Sequence, residues 1–259
     1  MSQGTKYWLM KAEPNSRIEK GKDVKFSIDD FESVKITPWE GVRNHEAKKL
    51  MQSMKVGDQI LFYHSNCKNP GIAGFAEVTK EAYPDYTAWD QEHPYYDPKS
   101  DKDNPKWFMV DVSFKSRAKH FVALSLIKQI TAPSSTELPP YVAYIGVDGL
   151  SALKGMALIN RGRLSVQPVE KDAWNTVVSL AENGGWDEAS PGKIPKFDKN
   201  AKRSPIEADK EVQDQQHNVN EGAKKANTKT RTKKRKAEVP TEDEKMRAPP
   251  RRSTRNRQG

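Results

Sequence analysis

Cysteine and long apolar runs are scarce in this sequence of 259 residues. Cys67 is the single cysteine, so an internal disulfide is excluded. No apolar run approaches the ~20 residues of a membrane-spanning helix, and the N-terminal stretch has no apolar segment of signal-peptide length. We therefore expect no membrane partner and no secretion by the usual route.

Signatures of catalysis and of metal binding are also missing. The sequence contains no glycine-rich phosphate loop and no GxSxG or HExxH pattern. His64 and Cys67 have HxxC spacing, but no second cysteine completes a metal site. We predict no catalytic residue, no metal and no cofactor. Two alternatives stay open: an enzyme acting on a modified nucleotide or base, with His64 as acid/base or Cys67 as nucleophile, and an adaptor that binds a peptide.

Charges and aromatic residues are distributed unevenly along the chain. Residues 1–190 carry 24 Lys and Arg against 25 Asp and Glu, and they hold all six Trp and all eight Tyr. Residues 191–259 carry 20 against 10, with Phe197 as their single aromatic. Such a segment cannot bury enough apolar surface to offset the entropy lost on ordering. We expect a disordered N-terminus over residues 1–5, one folded domain over residues 6–190 and a disordered basic tail over residues 191–259.

Two basic clusters lie in that tail. Lys233, Lys234, Arg235 and Lys236 form a run typical of nuclear localisation signals, and residues 251–257 hold a second cluster. Clustered cations also attract nucleic-acid phosphates without regard to sequence, although a solvated charge run is the simpler alternative. The tail therefore predicts a location in the nucleus, with an import receptor and nucleic acid as partners.

Apolar periodicity predicts strands and helices in alternation. The predicted strands are residues 7–10, 59–64, 71–78, 107–114 and 164–167, the last of them closed by Pro168. Gly71 and Gly74 in the third of these strands suggest a bend or a close backbone approach. Helices are predicted over residues 28–33 after the cap Ser27, after the cap Asn44, and before the terminating Gly184. Residues 82–106 are rich in Pro, Asp and Tyr and are predicted to form an ordered loop lying on the domain. Residues 131–140 are a second predicted loop. Several short strands interrupted by three helices indicate an α+β domain whose strands curl into a small barrel.

Two segments combine the side chains that bind a flat heterocycle. Residues 39–44 (WEGVRN) and 63–66 (YHSN) each place an aromatic ring and amide groups beside a loop, so they can stack on a base and hydrogen-bond its edge. The alternative is that Trp39 and Tyr63 are core aromatics and that Asn44 only caps a helix. Arg161 and Arg163 flank Gly162. They are predicted either to bind phosphates from this turn or to form surface salt bridges.

Several blocks of this sequence resemble the EVE domain family. They are YWLMKAEP, WEGVRNHEAKKLM, GDQILFYHSNCKNPGIAGFAEV, EAYPDYTAWD, PYYDPKS, NPKWFMVDV and RLSVQP, in order from about Tyr7 to Leu180. The resemblance implies a PUA-like fold, a small β-barrel with flanking helices. It implies binding of nucleic acid that carries a modified base, with cytosine derivatives in DNA such as 5-hydroxymethylcytosine as leading candidates, and no catalytic activity. Residues 131–149 have no counterpart in the resemblance.

The resemblance also implies a base-binding pocket and favours it over coincidental core packing. Carried over by motif, the pocket residues are Trp8, Lys11, Glu13, Trp39, Val42, Arg43, Asn44, Tyr63, His64, Ser65, Asn66, Trp107, Ser165 and Gln167. Trp107 has the core of the domain as its alternative place. Arg43, Arg161 and Arg163 would hold the phosphates that flank the base. DNA is expected as the nucleic-acid partner in preference to RNA.

Overall fold

The structure is a computed structural model, and it describes residues 4–133 and 137–188. Residues 4 and 5 are exposed and have no regular secondary structure. The basic tail over residues 191–259, with its localisation signal at Lys233 to Lys236, lies outside the described residues.

The described chain alternates strands and helices. The strands are β1 (Tyr7–Ala12), β2 (Ile18–Glu19), β3 (Lys22–Asp23), β4 (Ile36–Pro38), β5 (Gln59–His64), β6 (Gly71–Pro84), β7 (Phe108–Ala123) and β8 (Val166–Val169). The α-helices are α1 (Ile28–Val34), α2 (His45–Gln52), α3 (Leu124–Ile130), α4 (Gly146–Gly155), α5 (Ala157–Asn160) and α6 (Lys171–Asn183). Short 3₁₀ helices cover Tyr86–Ala88 and Pro140–Ile145. The predicted α+β class is confirmed.

Six strands form one mixed sheet in the order β4-β7-β6-β5-β1-β8. β1 pairs in parallel with β5, and every other pair in this sheet is antiparallel. The hydrophobic core lies on both faces: Phe62 belongs to one cluster, and its neighbours Leu61 and Tyr63 belong to the other. Both faces of β5 are therefore covered, which explains its continuous apolar run.

Two glycines of β6 lie close to the backbone of β7. A Cβ atom on Gly71 would lie 2.6 Å from the carbonyl oxygen of Val122, and one on Gly74 would lie 2.6 Å from that of Ser116. The pairing register shifts between Ile72 and Gly74. Because only glycine fits such a close backbone approach, the bend or close contact predicted from these glycines is confirmed.

The three predicted helices are present, with the predicted end residues. Ser27 and Asp30 form a capping box at α1, the Asn44 side chain accepts from two amides of α2, and α6 ends at Gly184 with φ 61°. Three further helices, α3, α4 and α5, were not predicted. None of them has a side-chain cap to mark its start. α6 has none either, but it was predicted from Gly184 at its end.

The boundaries of four strands were predicted wrongly: β1, β6, β7 and β8. β6 and β7 continue to Pro84 and Ala123 because each is the other's partner along this length, so polar residues stay paired. Pro168 does not close β8 but lies inside it. Among the described strands, β8 lies at the edge of the sheet and pairs with β1 alone, and an edge strand tolerates a residue without an amide hydrogen. None of the described helices has the length and apolar composition that a membrane span needs.

Candidate functional site

A cavity of about 970 Å³ opens beside the end of β1. Its walls come from segments distant in sequence: residues 11–13, Arg17, residues 22–26, 37–44, 65–66 and 93–95, and Gly162, Arg163 and Ser165. Its volume lies at the upper end of the range of about 300–1,000 Å³ typical of small-molecule pockets. A flat heterocycle with part of its backbone therefore has room here.

Ten of the residues expected in a base-binding site line this cavity. They are Lys11, Glu13, Trp39, Val42, Arg43, Asn44, Ser65, Asn66, Arg163 and Ser165. The two segments singled out by their residue types thus meet at one cavity, together with the end of β1 and the turn before β8.

Trp39 and Val42 form an apolar wall while belonging to the hydrophobic core. They are only 8% and 7% exposed, and the Trp39 ring packs edge-on against Phe26 and Phe62 at centroid distances of 6.3 and 5.9 Å. Trp39 is therefore both a core aromatic residue and part of the cavity wall. Only a small edge of the ring is available to a ligand.

Asn44 likewise has two uses. Its Oδ1 accepts hydrogen bonds from the amides of Glu46 and Ala47, at 2.9 and 3.0 Å, and so caps α2. Its side-chain NH₂ group has no partner among residues 4–133 and 137–188, and the residue is exposed. The amide group can therefore cap the helix and donate to a ligand at the same time.

Six expected site residues lie outside this cavity. Three of them are committed to structural contacts in the core. Trp8 donates through Nε1 to Asp58 Oδ2 at 2.9 Å, and Gln167 donates through Nε2 to the carbonyls of Arg161 and Leu164. Tyr63 is 3% exposed and packs on the opposite face of the sheet from Phe62, and burial raises its pKa. Alternation along β5 turns Tyr63 away from the side that Phe62 faces.

Trp107 is also buried outside the cavity. This is the core position given above as its alternative. It donates through Nε1 to Asp97 Oδ2 at 2.7 Å. The His45 ring lies 4.9 Å from the indole, and the cationic groups of Lys48 and Lys106 lie over it at 5.7 and 5.0 Å. These contacts occupy the ring, so it offers no free face for a base.

Of the three arginines expected to hold phosphates, two are already ion-paired. Arg161 makes a bidentate pair with Glu46, with 2.6 Å from Nη2 to Oε2. Arg43 pairs with Asp85. Arg163 is exposed, lines the cavity and has no ion-pair partner in the described part of the chain. Arg163 is therefore the arginine that remains available to an anion.

The Arg43 pair builds the wall of the cavity. Arg43 donates to Asp85 Oδ2 at 2.6 Å and to the carbonyl of Tyr95 at 2.7 Å, and Asp85 Oδ2 also accepts from the amide of Gly41 at 3.0 Å. Gly41 has φ 77°, and its Cα faces the ring of Tyr95. These contacts fasten residues 39–44 to residues 85–95.

Sequence reasoning missed Asp85, Tyr95 and Arg17. Arg17 donates to Glu13 Oε2 at 2.8 Å and to the hydroxyl of Tyr95 at 3.3 Å, so it links the end of β1 to the loop after β6. Arg17 and Tyr95, like Arg43 and Asp85, are too far apart in sequence for a spacing rule to pair them. The available signal was the aromatic content of residues 82–106, which indicated an ordered loop on the domain but not its neighbours.

The walls of the cavity carry more positive than negative side chains. Of the described residues that line it, the cations are Lys11, Arg17, Lys22, Lys25, Arg43 and Arg163, and the acids are Glu13, Asp23 and Glu40. Lys11 donates to the carbonyl of Gly162 at 2.7 Å, and burial lowers its pKa. Arg17, Lys25 and Arg43 are ion-paired with Glu13, Asp30 and Asp85. The cations without an ion-pair partner in the described part of the chain are Lys11, Lys22 and Arg163, and these suit a polyanionic ligand.

His64 and Cys67 line a second, smaller depression of about 380 Å³. His64 Nε2 accepts a hydrogen bond from the amide of Ile28 at 3.0 Å, and burial lowers the pKa of its imidazole. Burial raises the pKa of the Cys67 thiol, the opposite of what a nucleophilic cysteine requires. Within residues 4–133 and 137–188, no three or more His, Cys, Asp and Glu side chains are grouped to hold a metal ion.

Comparison with known proteins assigns this fold and cavity to a family. The sequence model of the EVE domain matches residues 6–180. The chain belongs to the EVE domain family. The predicted membership and the EVE, or PUA-like, fold are thereby confirmed.

Curated relatives match the EVE domain over most of its length. Thymocyte nuclear protein 1 of Homo sapiens is 46% identical over 178 residues, which cover 68% of this chain and 74% of that protein. Its counterpart in Gallus gallus is 47% identical over 178 residues, covering 68% and 69%.

Solved structures are similar to the EVE domain as well. The human THYN1 protein in complex with 5-methylcytosine-containing DNA superposes with a TM-score of 0.60 at 44% identity, covering 69% of this chain and 98% of that one. A hypothetical protein from Leishmania major gives a TM-score of 0.56 at 40% identity, covering 69% and 96%.

Proposed function

We propose that the EVE domain of this protein binds DNA carrying a modified cytosine and holds the extruded base in the 970 Å³ cavity. One observation carries the proposal: segments distant in sequence converge on a cavity that carries unpaired cations, in a domain whose relative of 44% identity was solved with 5-methylcytosine-containing DNA. A base inside a duplex must leave the stack before its Watson–Crick edge can be contacted.

Apolar and polar walls have separate roles in this proposal. The exposed edge of Trp39 and the side chain of Val42 contact the ring and its substituent. The side-chain NH₂ of Asn44 and the hydroxyl of Ser165, which have no partner in the described part of the chain, hydrogen-bond the edge of the base. The Ser65 hydroxyl is bonded to the carbonyl of Ala12 at 3.1 Å and serves to shape the wall.

The phosphates beside the extruded nucleotide are held by the unpaired cations at the cavity. The exposed ones are Arg163 and Lys22, which have no ion-pair partner in the described ranges. Lys11 is also without an ion-pair partner there, but it is only partly exposed and donates to the carbonyl of Gly162. Arg43 and Arg161 are excluded from this role because Asp85 and Glu46 already neutralise them. Specificity then comes from the cavity, and a sequence-independent part of the affinity comes from these cations.

The basic tail completes the proposal. Residues 191–259 carry a net charge of +10 and would add salt-sensitive attraction to any DNA. Lys233, Lys234, Arg235 and Lys236 would bind an import receptor, so that the protein works in the nucleus. The name of the relatives in Homo sapiens and Gallus gallus, thymocyte nuclear protein 1, supports this location.

Binding of the full chain to matched oligonucleotides tests the proposal. Fluorescence anisotropy with one duplex sequence carrying cytosine, 5-methylcytosine or 5-hydroxymethylcytosine should give tighter binding to the modified forms. Replacing the four residues of the 233–236 cluster by glutamine should weaken binding to all three duplexes equally and reduce the salt dependence. Equal affinity for plain and modified duplexes would contradict the proposal, and an RNA of the same sequence tests the preference for DNA.

No observation in the structure favours the enzyme alternative. His64 is held by the amide of Ile28, and the environment of Cys67 disfavours its thiolate. Mass spectrometry of modified DNA after prolonged incubation with stoichiometric protein should recover the base unchanged. A converted base would point to catalysis.

A further inference from the structure

Glu13 brings a carboxylate with one unused oxygen to the cavity wall. It directly follows β1, and its side chain is 29% exposed. Oε2 accepts from Arg17 Nε at 2.8 Å and from Asn66 Nδ2 at 3.2 Å. Oε1 has no partner among the described residues. The two donors fix the orientation of the carboxylate and leave one acceptor for a ligand.

The other acids that line the cavity are placed differently. Both oxygens of Asp23 are occupied, Oδ1 by the amides of Arg17 and Lys25 and Oδ2 by the Ser16 hydroxyl. Glu40 is exposed on the rim and bonds to His93. Glu13 thus combines partial burial with a free oxygen, and its bridge to Asn66 joins it to the segment that follows β5.

A carboxylate oxygen beside a base distinguishes an amino group from a carbonyl group. Cytosine presents an exocyclic NH₂ at C4, which donates to a carboxylate, whereas thymine and uracil present a carbonyl oxygen there, which repels it. Thymine and 5-methylcytosine carry the same methyl group. Recognition of the methyl alone cannot separate them, so a reader of modified cytosine needs a group that reads position 4.

We infer that Glu13 is the specificity residue that selects bases with an exocyclic amino group, by accepting a hydrogen bond from that group through Oε1. The inference rests on the proposed function, because it places the base in the same cavity. It adds the discrimination between cytosine and thymine derivatives, which the apolar wall does not provide.

Glu13→Gln tests the inference because the structure fixes how the new amide lies. Arg17 and Asn66 both donate to the Oε2 position, so the amide oxygen of glutamine takes that position. Its NH₂ group then replaces Oε1 and turns an acceptor into a donor. A donor at this place favours the carbonyl of thymine over the amino group of cytosine.

The measurement is binding of the full-length protein to oligonucleotides in which the tested base lies opposite an abasic site, so that pairing does not bias extrusion. The bases are cytosine, uracil, 5-methylcytosine, thymine and 5-methyl-2-pyrimidinone, which lacks only the amino group of 5-methylcytosine. We expect the wild-type protein to bind 5-methylcytosine about tenfold more tightly than thymine or the pyrimidinone. Glu13→Gln should lose or invert the preference over thymine.

Glu19→Gln is the matched control. Glu19 accepts from the same guanidinium, Arg17 Nη1, at 2.6 Å, but it does not line the cavity. The control should keep the wild-type preference. If it loses the preference as far as Glu13→Gln does, Glu13 acts only through Arg17 and the inference is overturned. It is also overturned if Glu13→Gln keeps the wild-type ratio between 5-methylcytosine and thymine.

The base panel separates failure of this inference from failure of the proposed function. A wild-type protein that binds cytosine and 5-methylcytosine equally, but either of them better than uracil or thymine, contradicts modified-base reading and supports the role of Glu13. A wild-type protein that prefers 5-methylcytosine to cytosine, but binds thymine equally well, supports the reading function and overturns the role of Glu13.

Discussion

Arg43 Nη1 lies 2.6 Å from Oδ2 of Asp85, whose side chain has no exposed surface. The residues are far apart in sequence, and the pair closes the wall of the cavity because the same carboxylate oxygen accepts the amide of Gly41. An arginine that sequence patterns assign to phosphates is thus a structural element that shapes the site.

Asp85→Asn should destabilise the domain by about 3 kcal/mol, because removing one partner of a buried ion pair leaves the other charge uncompensated. Urea unfolding followed by tryptophan fluorescence measures the loss. Asp103→Asn changes an exposed acid and should alter the free energy of unfolding by less than about 0.5 kcal/mol. A loss of similar size in both variants would argue against a special role for the pair.

The same pair predicts a pH dependence. Burial by itself raises the pKa of Asp85, but hydrogen bonds from Thr87 and Arg43 outweigh it, and the pKa is lowered in the folded protein. A lowered pKa means that its stabilisation is present above the unfolded-state pKa, near 4, and is lost as pH falls through the folded-state value. Between pH 7 and pH 3, wild type should lose more stability than Asp85→Asn. Parallel losses would contradict this assignment.

Gly41→Ala should cost more stability than Gly57→Ala. Both glycines have positive φ, 77° and 90°, so both variants carry the left-handed penalty of about 1–2 kcal/mol. A Cβ on Gly41 would also lie 2.5 Å from Cδ2 of Tyr95, whereas no atom lies within 4 Å of one on Gly57. Thermal unfolding of the two variants isolates the contact with Tyr95, and equal destabilisation would show that the ring moves aside freely.

Arg163→Ala and Arg161→Ala should differ in their effect on DNA binding. Arg163 is unpaired in the described chain, so its loss should lower the slope of log affinity against log salt by about 0.9. Arg161 is neutralised by Glu46, so its replacement should leave the slope near that of wild type. Titrations at several salt concentrations decide between them, and identical slopes would remove Arg163 from the proposed contacts.

Asn44→Ser and Asn44→Ala separate the two uses of Asn44. Serine keeps an N-cap acceptor, whereas alanine loses the cap and about 1 kcal/mol of stability. Both variants remove the NH₂ group proposed to contact the base, so both should weaken binding to modified DNA by about 1 kcal/mol, or roughly fivefold. Normal binding by the serine variant would limit Asn44 to its capping role.

Local sequence patterns were sufficient for much of the fold. The capping residues Ser27 and Asn44 fixed the starts of α1 and α2 because a cap is satisfied within its own first turn. Gly71 and Gly74 predicted the close backbone approach that the structure shows between β6 and β7. α3, α4 and α5 were missed because no side-chain cap marks where they begin. α6 has no side-chain cap either, but the glycine that ends it allowed its prediction.

For the candidate site, residue types and the family resemblance identified the right segments but not the use of each side chain. The cavity is lined by Lys11, Glu13, Asn44 and Ser165. Trp8 and Gln167 come from the same segments, but their side chains point away from the cavity and make structural hydrogen bonds. Neighbours on a strand point to opposite faces, so a segment placed correctly still contributes only part of its residues to a site.

The sequence by itself determined the α+β class, the family, the capped helices and the separation of a near-neutral domain from a basic tail. These follow from composition and from interactions within a few residues. Only the tertiary structure decided that Asp85 neutralises Arg43, that Glu46 neutralises Arg161, and that Glu13 keeps one free oxygen at the cavity. Such choices depend on which distant segments pack together, because a charge is available to a ligand only where no folded neighbour already satisfies it.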